Sequence, residues 1–314
     1  MKINSSIKSI SNIYKNMSNF GKILIFITLF LILIVLFKSI NNVNQNKEGY
    51  EQNDTFLFKQ GSEIYDDFYV DIYDHLVFNN LKDDYEIGEI KNKTSPTSKS
   101  VILDVGCGTG HHVDKLSQYD LNVVGIDISP SMINKAKENY PNYNFIVGDA
   151  QDISKFHNNQ FTHILCLYFT IYYFENKQQF LNNCMEWLMP GGTLILHVVN
   201  REKFDPILPP GNPLYIVSPQ KYSKERITKT KITFNDFIYS SNFELEPEKD
   251  IATFHEKFKF NDGKIRKQEH KLYMNSENDI INMAQDAGFL IQGKADLVNC
   301  AYEYQYLYIL VKPQ

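Results

Sequence analysis

One short run of this sequence is built to hold a ligand: Val101-Ile102-Leu103-Asp104-Val105-Gly106-Cys107-Gly108-Thr109-Gly110. Glycines at 106, 108 and 110 let backbone approach a ligand where any Cβ would collide. The spacing is GxGxG rather than the GxGxxG of dinucleotide sites, and Asp104 stands two residues before the first glycine. A carboxylate in that place opposes a bound pyrophosphate and suits a ligand carrying an ammonium group. Asp127 closes the next apolar run, where a carboxylate can accept hydrogen bonds from both hydroxyls of a ribose. A third acid, Asp149, closes the run after that, in Val147-Gly148-Asp149-Ala150. Three acids at three successive run ends describe one ligand site better than three unrelated solvated side chains.

The elements that must position these residues alternate. Val101–Val105 reads as a buried strand, followed by a helix over roughly 111–119 and a second strand, Asn122–Asp127. Ser129-Pro130-Ser131 opens a helix to about Asn139, and Asn144–Val147 and Phe161–Leu167 are further strands. A helix over 177–188 ends at Pro190-Gly191-Gly192, ahead of a fifth strand, Thr193–Val199. Short apolar strands separated by helices predict an α/β fold with a mostly parallel sheet covered on both faces. Residues 201–275 break the alternation: 252–260 and 264–274 flank Asn261-Asp262-Gly263, a hairpin turn. Ser276 caps a helix through Ala287, and strands over about 289–298 and 303–312 follow. Upstream, Ile64, Phe68, Ile72 and Leu76 recur at helical spacing, Gly88 to Ser100 reads as a loop, and the polar residues 41–60 as a tether.

With these residues in view, the chain resembles the class I S-adenosylmethionine-dependent methyltransferases acting on small molecules, over about residues 63–199 and 276–312. The resemblance implies a Rossmann-like seven-stranded sheet whose last strand, near Tyr304–Lys312, runs antiparallel. It also implies S-adenosylmethionine as cofactor. Asp104 and the Gly106, Cys107, Gly108 and Gly110 loop would hold the methionine part. Asp127 would bind the ribose, Ile128 would pack on the adenine, and Asp149 would accept from the adenine amino group beside the Ala150 backbone. The Cys166 carbonyl would face the cofactor's amine. The expected organisation is a basic segment 1–22, a transmembrane helix 23–40, a linker 41–61 and a methyltransferase domain 62–314, with the hairpin insertion 201–275 as substrate cover.

Methyl transfer from a sulfonium is an in-line displacement, so positioning carries most of it, and a base is needed only for an acceptor that arrives protonated. Tyr168, Tyr172 and His197 are the candidate bases near the strand ends. Each has a bland alternative: the run Tyr168, Phe169, Tyr172, Tyr173, Phe174 as packing or an apolar substrate wall, and His197 as a core histidine. Tyr65 and Tyr69 fit a cover over the cofactor or core packing equally. His255, Glu256 and His270 on the hairpin are candidates for a polar pocket, although alternate hairpin residues face water by default. A non-catalytic, membrane-tethered cofactor-binding interaction protein is the alternative reading, which the intact loop and acid set disfavour.

Charge and hydropathy set the surroundings. Residues 39–314 carry 27 basic and 37 acidic side chains, a net of about −10, which repels phosphate backbones and disfavours nucleic acid as partner. The acceptor expected is a small molecule or a lipid. Four cysteines without a CxxC pair argue against a disulfide framework or a zinc site, and no metal is expected. Ile23–Phe37 is fifteen residues, all apolar but Thr28, between Lys22 and Lys38. At about 1.5 Å per residue it covers roughly 22 Å of a ~30 Å hydrocarbon core, and snorkelling lysines extend it. It reads as a single-pass membrane helix. Lysines ahead of it place the N-terminus in the cytoplasm, whereas the cofactor and the unpaired cysteines favour a cytoplasmic enzyme, so the two arguments point to opposite sides.

Overall fold

The computed structural model describes residues 56–211 and 218–314, with 18, 20–23, 25–28 and 30 nearer the N-terminus. Contacts divide the chain into a unit ending at Asn53 and a second unit, Asp54–Gln314. In the first, the described residues from Phe20 to Phe30 are helical, and most of the expected membrane helix 23–40 lies outside the described residues. Among the described residues no helix is long and apolar enough to cross a membrane.

The second unit holds two sheets. The larger is built from β2 (Val101–Val105), β3 (Asn122–Asp127), β4 (Asn144–Val147), β5 (Phe161–Cys166), β6 (Leu188–Val199), β11 (Leu290–Asp296) and β12 (Gln305–Val311). Its order is β11-β12-β6-β5-β2-β3-β4, with β12 antiparallel to β6 as the resemblance implied. The strands β2 to β6 pair in parallel. Helices α1 (Asp67–Val77), α2 (Asn80–Thr94), α3 (His111–Ser117), α4 (Pro130–Asn139), α5 (Thr170–Tyr173), α6 (Lys177–Trp187) and α7 (Glu277–Asp286) accompany it. Chain order reverses between β2 and β5, so the helices leaving those strands part and open a crevice at their carboxyl ends.

The insertion is larger than a hairpin. β7 (Lys229–Thr233), β8 (Phe237–Glu246), β9 (Ile251–Phe260) and β10 (Ile265–Tyr273) form an antiparallel sheet, and β1 (Phe56–Gln60) joins its edge in parallel to β10. The linker 41–61 therefore ends early: residues 41–55 lie outside the described residues, and Phe56-Leu57-Phe58 supplies a β-prone start that pairs with β10. Phe237, Tyr239, Phe243 and Phe258 of this sheet are buried, and Phe68 of α1 sits edge-on to Phe258 and Phe260 at 5.4 and 5.3 Å. Burying each such ring contributes about 1.5–3 kcal/mol, and together they fix α1 between the two sheets.

The loop expected over Gly88 to Ser100 is also shorter. α2 continues to Thr94 and stops at Ser95, which has φ 47°. Asn79 caps the helix, accepting from the Leu81 and Lys82 amides at 3.1 and 3.2 Å, while Ile87 and Ile90 are buried. Gly88 faces open space, where a helical glycine costs only about 1 kcal/mol. Thr94-Ser95-Pro96 is the real break.

Candidate active site

A cleft of about 780 Å³ opens at the carboxyl ends of β2 to β5 and extends under the second sheet. Its floor is the glycine turn. The Gly106 and Cys107 amides donate to the Ile126 carbonyl at 2.8 and 3.1 Å, pinning the turn to β3. Gly106 has φ +69°, and a Cβ there would stand 2.6 Å from the Thr170 side chain, so position 106 requires glycine. The Gly108 amide donates to Asp127 Oδ2 at 3.0 Å and the Ser129 amide to Oδ1 at 2.9 Å. Each carboxylate oxygen keeps a lone pair for a ligand hydroxyl. Burial raises the Asp127 carboxyl pKa.

Further along the same wall, Asp149 Oδ1 accepts from the Gln151 amide at 2.8 Å, and the Ala150 carbonyl accepts from Asn183 at 3.0 Å. Ile128 lies at the rim, 54% exposed despite being apolar, which suits a flat ring stacked on it. Gly106, Gly108, Asp127, Ile128, Asp149 and Ala150 thus line one cleft, as the sequence anticipates.

Four expected contacts fall elsewhere. Gly110 begins α3 with φ +93°, and its missing Cβ makes room for the Phe145 ring, a packing role. Cys107 is turned away, its Sγ set against Gly125. Cys166 is fully buried beside Val105 and does not line the cleft. Asp104 lies behind the cleft wall formed by Val105 and Gly106, and its Oδ2 is buried without a hydrogen-bond partner. Burial pushes its carboxyl up to about 7, against the opposing charge of His112 and with Asp127, Asp83 and Glu86 adding to the rise. Among the described residues it is the one carboxylate with a buried oxygen left unpaired, and a cationic donor would satisfy it.

Behind Asp104 lies a cluster absent from the sequence expectations. Lys82 Nζ donates to Glu86 Oε1 at 2.6 Å, and His112 Nε2 lies 3.1 Å from Glu86 Oε2. Burial alone would raise the Glu86 carboxyl, but Lys82 and His112 outweigh it and hold it at about 2. Asp83, Glu86 and His112 have the residue types of a metal site, yet the Lys82 ammonium already neutralises Glu86.

Of the three candidate bases, two are removed from the cleft. His197 is wholly buried; its Nδ1 contacts the Tyr168 carbonyl, its Nε2 lies 3.1 Å from Gln305 Oε1, and burial pushes its pKa down to about 4. It is a satisfied core histidine. Tyr172 is also buried, its hydroxyl accepting from the Val199 amide at 2.8 Å. Only Tyr168 lines the cleft, with φ 52° and Lys82 Nζ 5.2 Å from its ring.

The opposite wall is aromatic and hydrogen-bonded to itself. Tyr65 and Tyr69 line the cleft, each with its ring 5.9 Å from His270. The Tyr173 hydroxyl is 2.9 Å from His270 Nδ1, and His270 Nε2 is 2.7 Å from Glu256 Oε2. Glu256 also accepts from Tyr239 at 2.5 Å and Gln268 at 2.6 Å. Gln268 accepts in turn from Arg266, which pairs with Asp66 at 2.8 Å. His255, on the other face of β9, pairs with Glu244 and Glu269 instead. Phe169, Phe204, Phe243 and Phe254 complete an apolar border.

Comparison with known proteins agrees with this geometry. Residues 102–192 match the family described as "Methyltransferase domain". Over 129 residues the chain is 33% identical to a ubiquinone biosynthesis O-methyltransferase of Rickettsia canadensis, covering 40% of this chain and 53% of that protein. The chain thus spans about half the length of the curated relatives it matches. Two solved structures share the fold. An S-adenosylmethionine-dependent methyltransferase from Clostridium acetobutylicum superposes with TM-score 0.58 and 17% identity, over 79% of this chain and 97% of its own. The CcbJ methyltransferase from Streptomyces caelestis gives 0.60 and 16%, over 81% of this chain and 100% of its own. At such identities the likeness is one of architecture, and the chain has the α/β fold of these methyltransferases.

Proposed function

We propose that this chain is an S-adenosylmethionine-dependent methyltransferase acting on a small-molecule or lipid acceptor. The observation that carries the reading is the shared cleft of Gly106, Gly108, Asp127, Ile128, Asp149 and Ala150 at the carboxyl ends of the parallel strands. Asp127 binds the ribose hydroxyls, Ile128 packs on the adenine, and Asp149 with the Ala150 backbone receives its amino edge. The glycine turn borders the methionine part. The cofactor supplies a methyl group on a good leaving group. The chain's own contribution is to bind, orient and exclude water from the reacting pair.

We further infer a single-pass membrane tether over 23–40, with membrane localisation. The apolar run Ile23–Phe37 supports it, as do the exposed Phe56, Leu57 and Phe58 of β1 at 57%, 45% and 42%. A washed membrane fraction checks this inference: release of the protein by alkaline carbonate would remove it.

The test of function takes the full-length chain, labelled S-adenosylmethionine and a cell extract divided into small-molecule, lipid, protein and RNA fractions. Label is expected in the small-molecule or lipid fraction and absent with Asp127→Ala. Calorimetry is expected to find S-adenosylhomocysteine binding. Failure to bind it, or tighter binding of NAD, would overturn the reading.

A further inference from the structure

We propose that Tyr173, backed by His270 and Glu256, removes the proton from a hydroxyl acceptor, so that this site methylates oxygen on a molecule with an apolar body. The inference rests on the methyltransferase reading above and adds the acceptor's chemistry to it.

The chain of hydrogen bonds has its buried end at Glu256. Glu256 is 2% exposed and receives donors from Tyr239 and Gln268. The Gln268 amide cannot be turned the other way, because its oxygen is taken by Arg266 Nε at 2.8 Å. Arg266 itself is spent on Asp66, so the third partner of the Glu256 carboxylate is His270. An ionised carboxylate only accepts, so His270 Nε2 must carry a proton. In the neutral ring Nδ1 is then an acceptor, and the Tyr173 hydroxyl points its hydrogen at it across 2.9 Å. One lone pair of Tyr173 Oη receives the Tyr65 hydroxyl, and the other is left for a donor arriving from the cleft, which Tyr173 borders.

Tyr173 does not keep the proton it receives. Its hydroxyl lies well above its ordinary pKa through burial, which disfavours a resting tyrosinate. As the acceptor oxygen gains its methyl, the electrons of the broken carbon–sulfur bond stay on sulfur. Tyr173 Oη takes the acceptor's proton while its own passes to His270 Nδ1. The imidazolium so formed donates from Nε2 to Glu256, as a buried acid steadies a catalytic histidine elsewhere. The proton returns to water when the products leave.

Acceptor class follows from what the wall offers. A free amine attacks without a base, whereas a neutral hydroxyl is a poor nucleophile until its proton moves. Phe169, Phe204, Phe243 and Phe254 border the space beside Tyr173 and suit an apolar or aromatic skeleton.

The deciding measurement is long-range proton–nitrogen NMR on the full-length, nitrogen-15 histidine-labelled chain, with His270 assigned as the resonance pair that Tyr173→Phe shifts. The expected result is a neutral ring protonated at Nε2 and bare at Nδ1. A ring protonated at Nδ1, alone or together with Nε2, would point the Tyr173 hydrogen into the cleft and overturn the proposal. The second arm is kinetic and uses the acceptor recovered from the extract assay. Tyr173→Phe is expected to lower kcat by about 10²–10⁴-fold with unchanged affinity for S-adenosylhomocysteine, and the product is expected to be an O-methyl compound. An N-, S- or C-methyl product, or an undiminished kcat, would also overturn it. Wild-type protein that fails to bind S-adenosylhomocysteine sinks the methyltransferase reading instead, whatever the tautomer of His270.

Discussion

The two walls of the cleft are made in opposite ways. The cofactor wall is mostly backbone, with two carboxylates that each keep acceptor capacity for something outside the protein. Across the cleft, rings and polar side chains are closed on one another from Tyr173 through His270 and Glu256 to Arg266 and Asp66. One wall is completed by its ligand and the other is complete beforehand. Substitutions in the first should therefore cost binding, and substitutions in the second should cost folding or the proton step.

That contrast can be broken at several points. Asp127→Ala removes two charged hydrogen bonds to a bound diol, each worth about 1.5–3 kcal/mol. S-adenosylhomocysteine affinity should fall by about 10²-fold or more in calorimetry. Unchanged affinity would place the ligand elsewhere. Glu256→Ala should show the reverse: stranding His270, Gln268 and Tyr239 in the core should cost about 3–5 kcal/mol of stability. S-adenosylhomocysteine affinity of the folded fraction should persist, and a loss of both together would mean that the walls are not separable.

Gly106→Ala should cost about 1–3 kcal/mol, from left-handed backbone and the 2.6 Å approach to Thr170. Adding Thr170→Ala should recover part of it by relieving the contact, and no recovery would assign the whole cost to the backbone. Asp104 gives a pH test. Its folded pKa of about 7 lies above the ordinary 3.8, so its contribution to stability is full below pH 4 and is lost as pH rises through 7. Asp104→Asn should flatten the fall in unfolding free energy across that window, by at most about 1.4 kcal/mol per pH unit. An equal slope in both proteins would show that another group titrates. Last, Tyr172→Phe strands the buried Val199 amide and should cost about 1–3 kcal/mol, leaving transfer by the folded protein unaltered. A large drop in turnover would return Tyr172 to the candidates.

The same contrast explains what could be read from sequence. Asp104 to Gly110, Asp127 and Asp149 fall within fifty residues, and strand–turn–helix units place their ends together by local rules. The parallel strands were legible for that reason, and the antiparallel β12 through the family resemblance alone. Tyr173, Glu256 and His270 come from separate elements, and only the pairing of β9 with β10 brings Glu256 and His270 within reach. The sequence put Glu256 and His270 together on the hairpin, but not their meeting with Tyr173. In β8, Phe237, Tyr239, Ser241, Phe243 and Leu245 alternate in the strand period, a signal that could have revealed the second sheet. His197 lies in the core rather than in the cleft because a strand-end position does not say which face a side chain presents.

The parallel pairing of β1 with β10 has a consequence for how this chain can be shortened. β1 occupies the edge of the second sheet from Ile265 to Glu269, one residue short of His270. A chain starting after Gln60 would bare that row of amides and carbonyls, the kind of template on which strands of separate molecules assemble. Trimming the N-terminal segment for solubility thus invites aggregation unless the cut falls before Phe56.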